Sequence, residues 1–221
     1  MNIIEKAIKS GQKTLSEYES RLVIESAGVP VAAAALTQTK KEAVREARKM
    51  GYPVVMKGCS ATLAHKTEAG MVALNINSDS DVARVFDELT GRGTDLDGIL
   101  VEKMVRGSRE FVIGLSQDAS FGPCVMFGLG GIFTEALEDV TFRVAPLTRE
   151  DALEMIDEIK AKKLLGEFRG SPAIDREALA KALVGIGDLA MKYPSIAEID
   201  INPLIICGDK PVAVDALVVL K

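Results

Sequence analysis

The chain has 221 residues, 48% hydrophobic and 27% charged, with 27 basic against 32 acidic side chains and a net charge of −5. That apolar content supports a core of its own, while the acidic balance, the 5% aromatic content and the lack of Trp exclude a basic nucleic-acid face and base-stacking platforms. Three scattered cysteines, Cys59, Cys124 and Cys207, make neither a disulfide framework nor a paired metal site and point to a reducing cytoplasm, and neither a signal peptide nor the ~18-residue apolar run of a membrane span is legible.

Residues 1–19 are read as a helical arm. Ser16 followed by Glu19, with Leu22, Val23 and Ala27 at helical spacing and Gly28 as a stop, predicts a capped helix. VPVAAAAL (29–36) reads as a strand. Thr39 and Glu42 open a second capped helix that closes at Gly51, and YPVVMKG (52–58) follows as a buried strand. MVALNI (71–76) reads as a strand, SDSDVARVFDELTG (78–91) as a helix and GILVEKMV (98–105) as a strand. Alternation of this kind implies an α/β layer with helices packed on a sheet.

From residue 99 onward LVEKMV, REFVIGLSQD, PCVMFGLG and FRVAPL are apolar or alternating runs joined by short connections, which predicts a mainly antiparallel sheet. Two helices, at 148–161 and 175–192, interrupt it. IAEIDINPLIICGDKPVAVDALVVL closes the chain as two strands around a Gly-Asp-Lys-Pro turn. The expected division is the arm at 1–19, one subdomain at 20–98 and a second at 99–221. Ligands favour the cleft between such subdomains.

Five features carry chemistry. Lys57 follows a run of mostly apolar residues and is expected to bring its ammonium out at the strand end, towards solvent or a ligand. Glu102 and Glu110 flank MVRGS, a turn suited to act as a hinge. GLGGIFTE (128–135) is glycine-rich without matching either dinucleotide or P-loop spacing; its bare backbone can approach phosphate oxygens or simply turn a hairpin. In EIDINPL (198–204), Asp200 and Asn202 share one strand face, and Asp215 of VAVDAL is expected across from them on the next strand. Oxygen donors converging without His or Cys suit Mg²⁺. The fifth feature is SATLAHKTEAGMVAL (60–74), which holds His65, the chain's one histidine.

Lys57, the Glu102–Glu110 hinge, GLGGIFTE and the closing EIDINPL…VAVDAL together resemble the ATP-grasp fold. The histidine segment narrows the resemblance to the ATP-grasp β subunit of nucleoside-diphosphate-forming acyl-CoA synthetases, the acetate–CoA ligase (ADP-forming) family, related to the succinyl-CoA synthetase β subunit. The likeness covers nearly the whole chain. It implies an α/β (α+β) architecture of two subdomains with the nucleotide cleft between them, and ATP/ADP with Mg²⁺ as cofactors.

The resemblance also implies roles. Adenine would be held by the backbone of Lys103 to Val105, with Glu102 and Glu110 on the ribose side and near the phosphates. Lys57 would contact phosphate oxygens, Gly130 and Gly131 would offer backbone donors, and Asn202 with Asp215 would hold Mg²⁺. Asp200 stands where succinyl-CoA synthetases carry an acidic residue close to the phosphohistidine, so its implied role is to orient or stabilise a phosphorylated imidazole. His65 would be the phosphoryl carrier, a role imidazole suits because it is nucleophilic when neutral and its phosphoramidate transfers reversibly. No CoA-binding segment is legible, which implies a separate α subunit carrying the CoA and acyl sites, in an α2β2 heterotetramer. Two rival readings are a stand-alone ATP-grasp carboxylate ligase working through an acyl phosphate, which needs no histidine, and a non-catalytic nucleotide-sensing module, which needs no metal ligands.

Overall fold

The computed structural model describes residues 2–62, 69–92, 95–131 and 138–221. In chain order its elements are α1 (Ile3–Lys9), α2 (Glu17–Ser26), β1 (Ala34–Thr37), α3 (Lys40–Met50), β2 (Val54–Cys59), β3 (Val72–Ile76), α4 (Asp79–Thr90) and β4 (Gly98–Lys103). There follow β5 (Glu110–Asp118), β6 (Gly122–Leu129), β7 (Val140–Val144), α5 (Arg149–Glu158), a 3₁₀ turn (Lys162–Leu165), α6 (Arg176–Lys192), β8 (Ile196–Cys207), β9 (Lys210–Ala213) and β10 (Leu217–Leu220). The chain divides into two compact units, one of residues 14–19 and 32–104, the other of residues 1–13, 20–31 and 105–221.

In the first unit a sheet in the order β1-β4-β2-β3 is antiparallel throughout. The Thr39 hydroxyl accepts from the Glu42 N–H at 3.2 Å while the Glu42 carboxylate accepts from the Thr39 N–H at 3.2 Å, so α3 begins where its capping box dictates. Ser78 caps α4 in the same way, accepting from the Asp81 N–H at 3.1 Å. Ala43 and Ala47 of α3 and Val82, Phe86 and Leu89 of α4 repeat at helical spacing and pack with Val54, Met56, Ile99 and Val101. Strand alternation therefore turns Val55, Lys57, Leu100 and Glu102 to the opposite face.

The second unit is built on an antiparallel sheet in the order β10-β8-β5-β6-β7, with β9 also paired to β8. Phe111 of β5 and Phe127 of β6 stack with ring centroids 5.5 Å apart. The apolar stripe of α6, including Leu179, Leu183 and Ile186, is buried. Residues 1–13 and 20–31 join this unit through its last strands. The Leu220 N–H donates to the Lys13 carbonyl at 2.7 Å, the Val218 N–H to the Ser20 hydroxyl at 3.1 Å, and Val31 bridges Ala213 in parallel.

Several sequence expectations change. The strand expected at 29–36 is confined to 34–37, because Val31 is drawn to Ala213 and only from Ala34 onward does the chain pair with β4. The helix expected to end at 161 stops at Glu158. Both oxygens of the buried Asp139 carboxylate take the next amides, from Lys160 at 2.6 Å and Ala161 at 2.7 Å, and draw the chain into the 3₁₀ turn. The closing segment forms three strands in place of two. One edge of β8 is shared, with β10 pairing residues 196–200 and β9 pairing 204–207, so residues 214–216 cross between the two partners.

Arg109, 3% exposed, holds an irregular segment of this unit in place. Its guanidinium donates to the carbonyls of Leu164, Gly166, Pro172 and Gly208 at 2.8–3.1 Å. Arg109→Ala is expected to leave those acceptors without their donor and to lower stability by about 3 kcal/mol, measured as a reduced denaturant midpoint. Arg109→Lys recovers part of this, because an ammonium has three donors and no planar fork.

Candidate functional site

Lys57 lies inside β2, two residues before its end at Cys59. The expectation of an ammonium emerging at a strand end is therefore corrected: Lys57 is 6% exposed. Its Nζ lies 2.8 Å from Oε1 of Glu17 and 3.3 Å from Oε2 of Glu102, whose side chains are 1% and 2% exposed. β4 carries Glu102 onto the same sheet face as Lys57, and the first turn of α2 brings Glu17 to it. Glu17 is absent from the residues singled out in the sequence. The adjacent capping box, in which Glu19 accepts from the Ser16 N–H at 3.0 Å, accounts for an acidic helix start so well that a second role is hidden.

Beyond β4 the backbone leaves the sheet. Lys103 donates from its N–H to Ala33 and from its ammonium to Gly51, at 2.8 and 2.7 Å, and Lys103 to Val105 are half-buried.

In the second unit, Glu110, Gly130, Gly131 and Asn202 come together. The Gly130 N–H donates to the Glu110 carbonyl at 2.9 Å, and the Gly131 N–H donates to Oδ1 of Asn202 at 3.2 Å. The two amides expected to face phosphate are thus engaged within the protein. Their glycines serve close approach instead: a Cβ on Gly130 would stand 2.3 Å from the Phe111 carbonyl oxygen, and one on Gly131, where φ is +67°, would stand 2.3 Å from the Glu110 carboxylate. The remainder of GLGGIFTE, residues 132–135, lies outside the described residues.

Alternation along β8 puts Glu198, Asp200 and Asn202 on one face, as expected. Asp215 is corrected from a strand to the crossing between β9 and β10, where its Oδ1 accepts from the Ala216 N–H at 2.9 Å. The crossing is fastened to β8 by the Val214 N–H, 3.3 Å from the Pro203 carbonyl. Burial raises the Asp200 carboxyl to a pKa of about 6, helped by the negative charges of Asp215 and Glu198.

Among the described residues no group of three or more His, Cys, Asp or Glu side chains is arranged to hold a metal. The carboxylate of Asp215 and the amide oxygen of Asn202, which keeps a second lone pair beside its Gly131 bond, nevertheless form a set of hard oxygen donors. That set fits Mg²⁺, which takes one or two carboxylates and completes its shell with water and phosphate oxygens.

His65 falls within residues 63–68, outside the described residues. On one side of that segment the Thr62 N–H donates to the Ser60 hydroxyl at 3.2 Å, and on the other Gly70 has φ +65°. No helix among the described residues is long and apolar enough to cross a membrane.

The profile of the ATP-grasp domain matches residues 6–220. The acetate–CoA ligase [ADP-forming] I subunit beta of Pyrococcus furiosus is 44% identical over 224 residues, spanning 99% of this chain and 96% of that protein. The acetate–CoA ligase [ADP-forming] I of Archaeoglobus fulgidus is 38% identical over 99% of this chain but only 32% of its own longer length. Among solved structures, the dinucleotide forming acetyl-coenzyme A synthetase 1 of Ca. Korarchaeum cryptofilum superposes with a TM-score of 0.87 and 41% identity, covering 99% of this chain and 98% of that one. It was solved with coenzyme A and Mg-AMPPCP, its phosphohistidine segment pointing towards the nucleotide binding site.

Proposed function

This chain belongs to the ATP-grasp family, and from that membership we propose that it is the nucleotide-binding, phosphoryl-transferring β subunit of an ADP-forming acyl-CoA synthetase. The reaction is acyl-CoA + ADP + phosphate ⇌ carboxylic acid + CoA + ATP. The observation that carries the proposal is the junction at Asn202, where one amide oxygen ties the glycine-rich segment to a β8 face bearing Asp200, with Glu110 against the same glycines.

Each residue then has a task. The backbone of Lys103 to Val105 takes adenine, Glu102 and Glu110 lie on the ribose side and near the phosphates, and Lys57 answers the phosphate charge. Gly130 and Gly131 let the chain pass close enough for Glu110 and Asn202 to reach the same ligand. Asn202 and Asp215 would hold Mg²⁺, which when bound neutralises charge on the phosphoryl oxygens. A neutral ring nitrogen of His65 attacks the terminal phosphorus, the bond to the bridging oxygen breaks, and the nucleoside diphosphate leaves with that oxygen. Asp200 orients the phosphorylated imidazole, and the phosphoryl group passes to the acyl site by the reverse chemistry.

CoA and the acyl group belong to an α subunit, in line with the subunit naming of one relative and the greater length of another. We assign the assembly as α2β2 and its compartment as the cytoplasm, which suits three free cysteines. Calorimetry of this chain should show Mg-dependent binding of ADP and ATP, whereas acyl-CoA should form only when the α subunit is added. Robust thioester formation by this chain alone would overturn the division of labour.

A further inference from the structure

Lys57 does not stand alone in the first unit; it is shared between two buried carboxylates of unequal reach, Glu17 at 2.8 Å and Glu102 at 3.3 Å. We propose that Glu17 is a positioning residue for the phosphate-binding lysine, holding its ammonium in place while nucleotide draws it away from Glu102. The inference rests on the nucleotide-binding function proposed above and adds to it a residue outside the expected site.

The geometry separates the two acids. Glu102 sits on β4, one residue before the half-buried stretch from Lys103 to Val105, and is the acid assigned to the nucleotide. Glu17 sits at the first position of α2, where the helix N-terminus favours a negative charge. Its side chain is 1% exposed and reaches Lys57 at the shorter distance. A lysine stem carries several freely rotating bonds, so an ammonium meant to meet a phosphate needs an anchor that fixes its direction. A single carboxylate would hold a buried ammonium as a closed one-to-one pair, costly to break. Two carboxylates let one bond be exchanged for a phosphate oxygen while the other persists. Losing the charge of Glu17 would remove the shorter of these two contacts and leave the ammonium drawn towards Glu102, the acid assigned to the nucleotide.

The test uses the full-length chain and calorimetry with Mg-ADP, Mg-ATP and adenosine. Glu17→Gln preserves shape and removes the charge. It is expected to weaken ADP and ATP roughly tenfold, about 1.4 kcal/mol, and to leave adenosine binding unchanged, because Lys57 answers the phosphates and not the base. Glu17→Asp should fall between, since a shorter acid restores the charge at a longer reach. In a Lys57→Met background, Glu17→Gln should add nothing. That background buries two carboxylates without their cation and can fail to fold, so the ratio of ADP to adenosine affinity in Glu17→Gln alone decides the matter. An unchanged ADP affinity, or an equal loss for adenosine, overturns the positioning role. A wild-type chain that binds no nucleotide overturns the underlying function as well, and is told apart by its own titration.

Discussion

His65→Ala and His65→Asn are expected to abolish ATP-linked turnover in the assembled α/β enzyme, by at least about a thousandfold, while nucleotide binding persists. The size follows from the role: a carrier has no parallel route, and neither replacement supplies a nucleophilic nitrogen that forms a transferable phosphoramidate. In the wild-type complex, incubation with ATP should place on this chain a phosphate that is labile in acid and stable in base. Mass spectrometry under alkaline handling should locate it at His65 and find it missing from both variants. Exchange between acyl phosphate and CoA, confined to the α subunit, should survive. The same measurement separates the rival readings, since a stand-alone carboxylate ligase keeps full turnover in the His65 variants and a nucleotide sensor never acquires the label.

Asp215→Asn is expected to lower phosphoryl transfer by about two to four orders of magnitude with little change in thermal stability. The effect is that of removing a charge that would help hold the cation on the phosphates, typically several kcal/mol of barrier. Asparagine is the cleaner substitution because its amide oxygen can still accept from the Ala216 N–H, as Oδ1 of Asp215 does now. Asn202→Ala should be at least as damaging for two reasons at once, since it deletes a donor to the cation and also the acceptor that pins the Gly131 N–H. Raising Mg²⁺ should therefore rescue part of the Asp215→Asn loss and less of the Asn202→Ala loss. Near-normal turnover of Asp215→Asn at limiting Mg²⁺ would remove this residue from the metal site.

What could be read in advance tracks the range of the forces involved. Thr39 with Glu42 and Ser78 with Asp81 fix helix starts through bonds three residues apart, so α3 and α4 are legible from a few letters. The shared face of Asp200 and Asn202 follows from the period of a strand. The end of the strand at Ala34, by contrast, depends on Val31 meeting Ala213, and the break after Glu158 depends on Asp139 claiming two amides twenty-one and twenty-two residues away. No local pattern encodes either. VAVDALVV reads as a single strand through Asp215; only the sharing of one β8 edge between β9 and β10 interrupts it. At Lys57 the residue type pointed to a charge at work, but its partner Glu17 is forty positions away. The glycines at 130 and 131 are where the sequence leaves two options open, ligand donors or close packing, and the backbone bonds of both favour packing.

The way residues 1–31 are fastened also bears on how this molecule is made. Lys13, Ser20 and Val31 find their partners at Leu220, Val218 and Ala213, each more than 180 positions further along the chain. Contacts so distant in sequence close late and slowly, so Lys13, Ser20 and Val31 gain these bonds only after residues 213–220 have been made. The four strands between Ala34 and Lys103 pair with one another, so their sheet has all its partners earlier. Deleting residues 213–220 would therefore unfasten Lys13, Ser20 and Val31 as well, so damage late in the chain is felt two hundred positions earlier, at about residue 20.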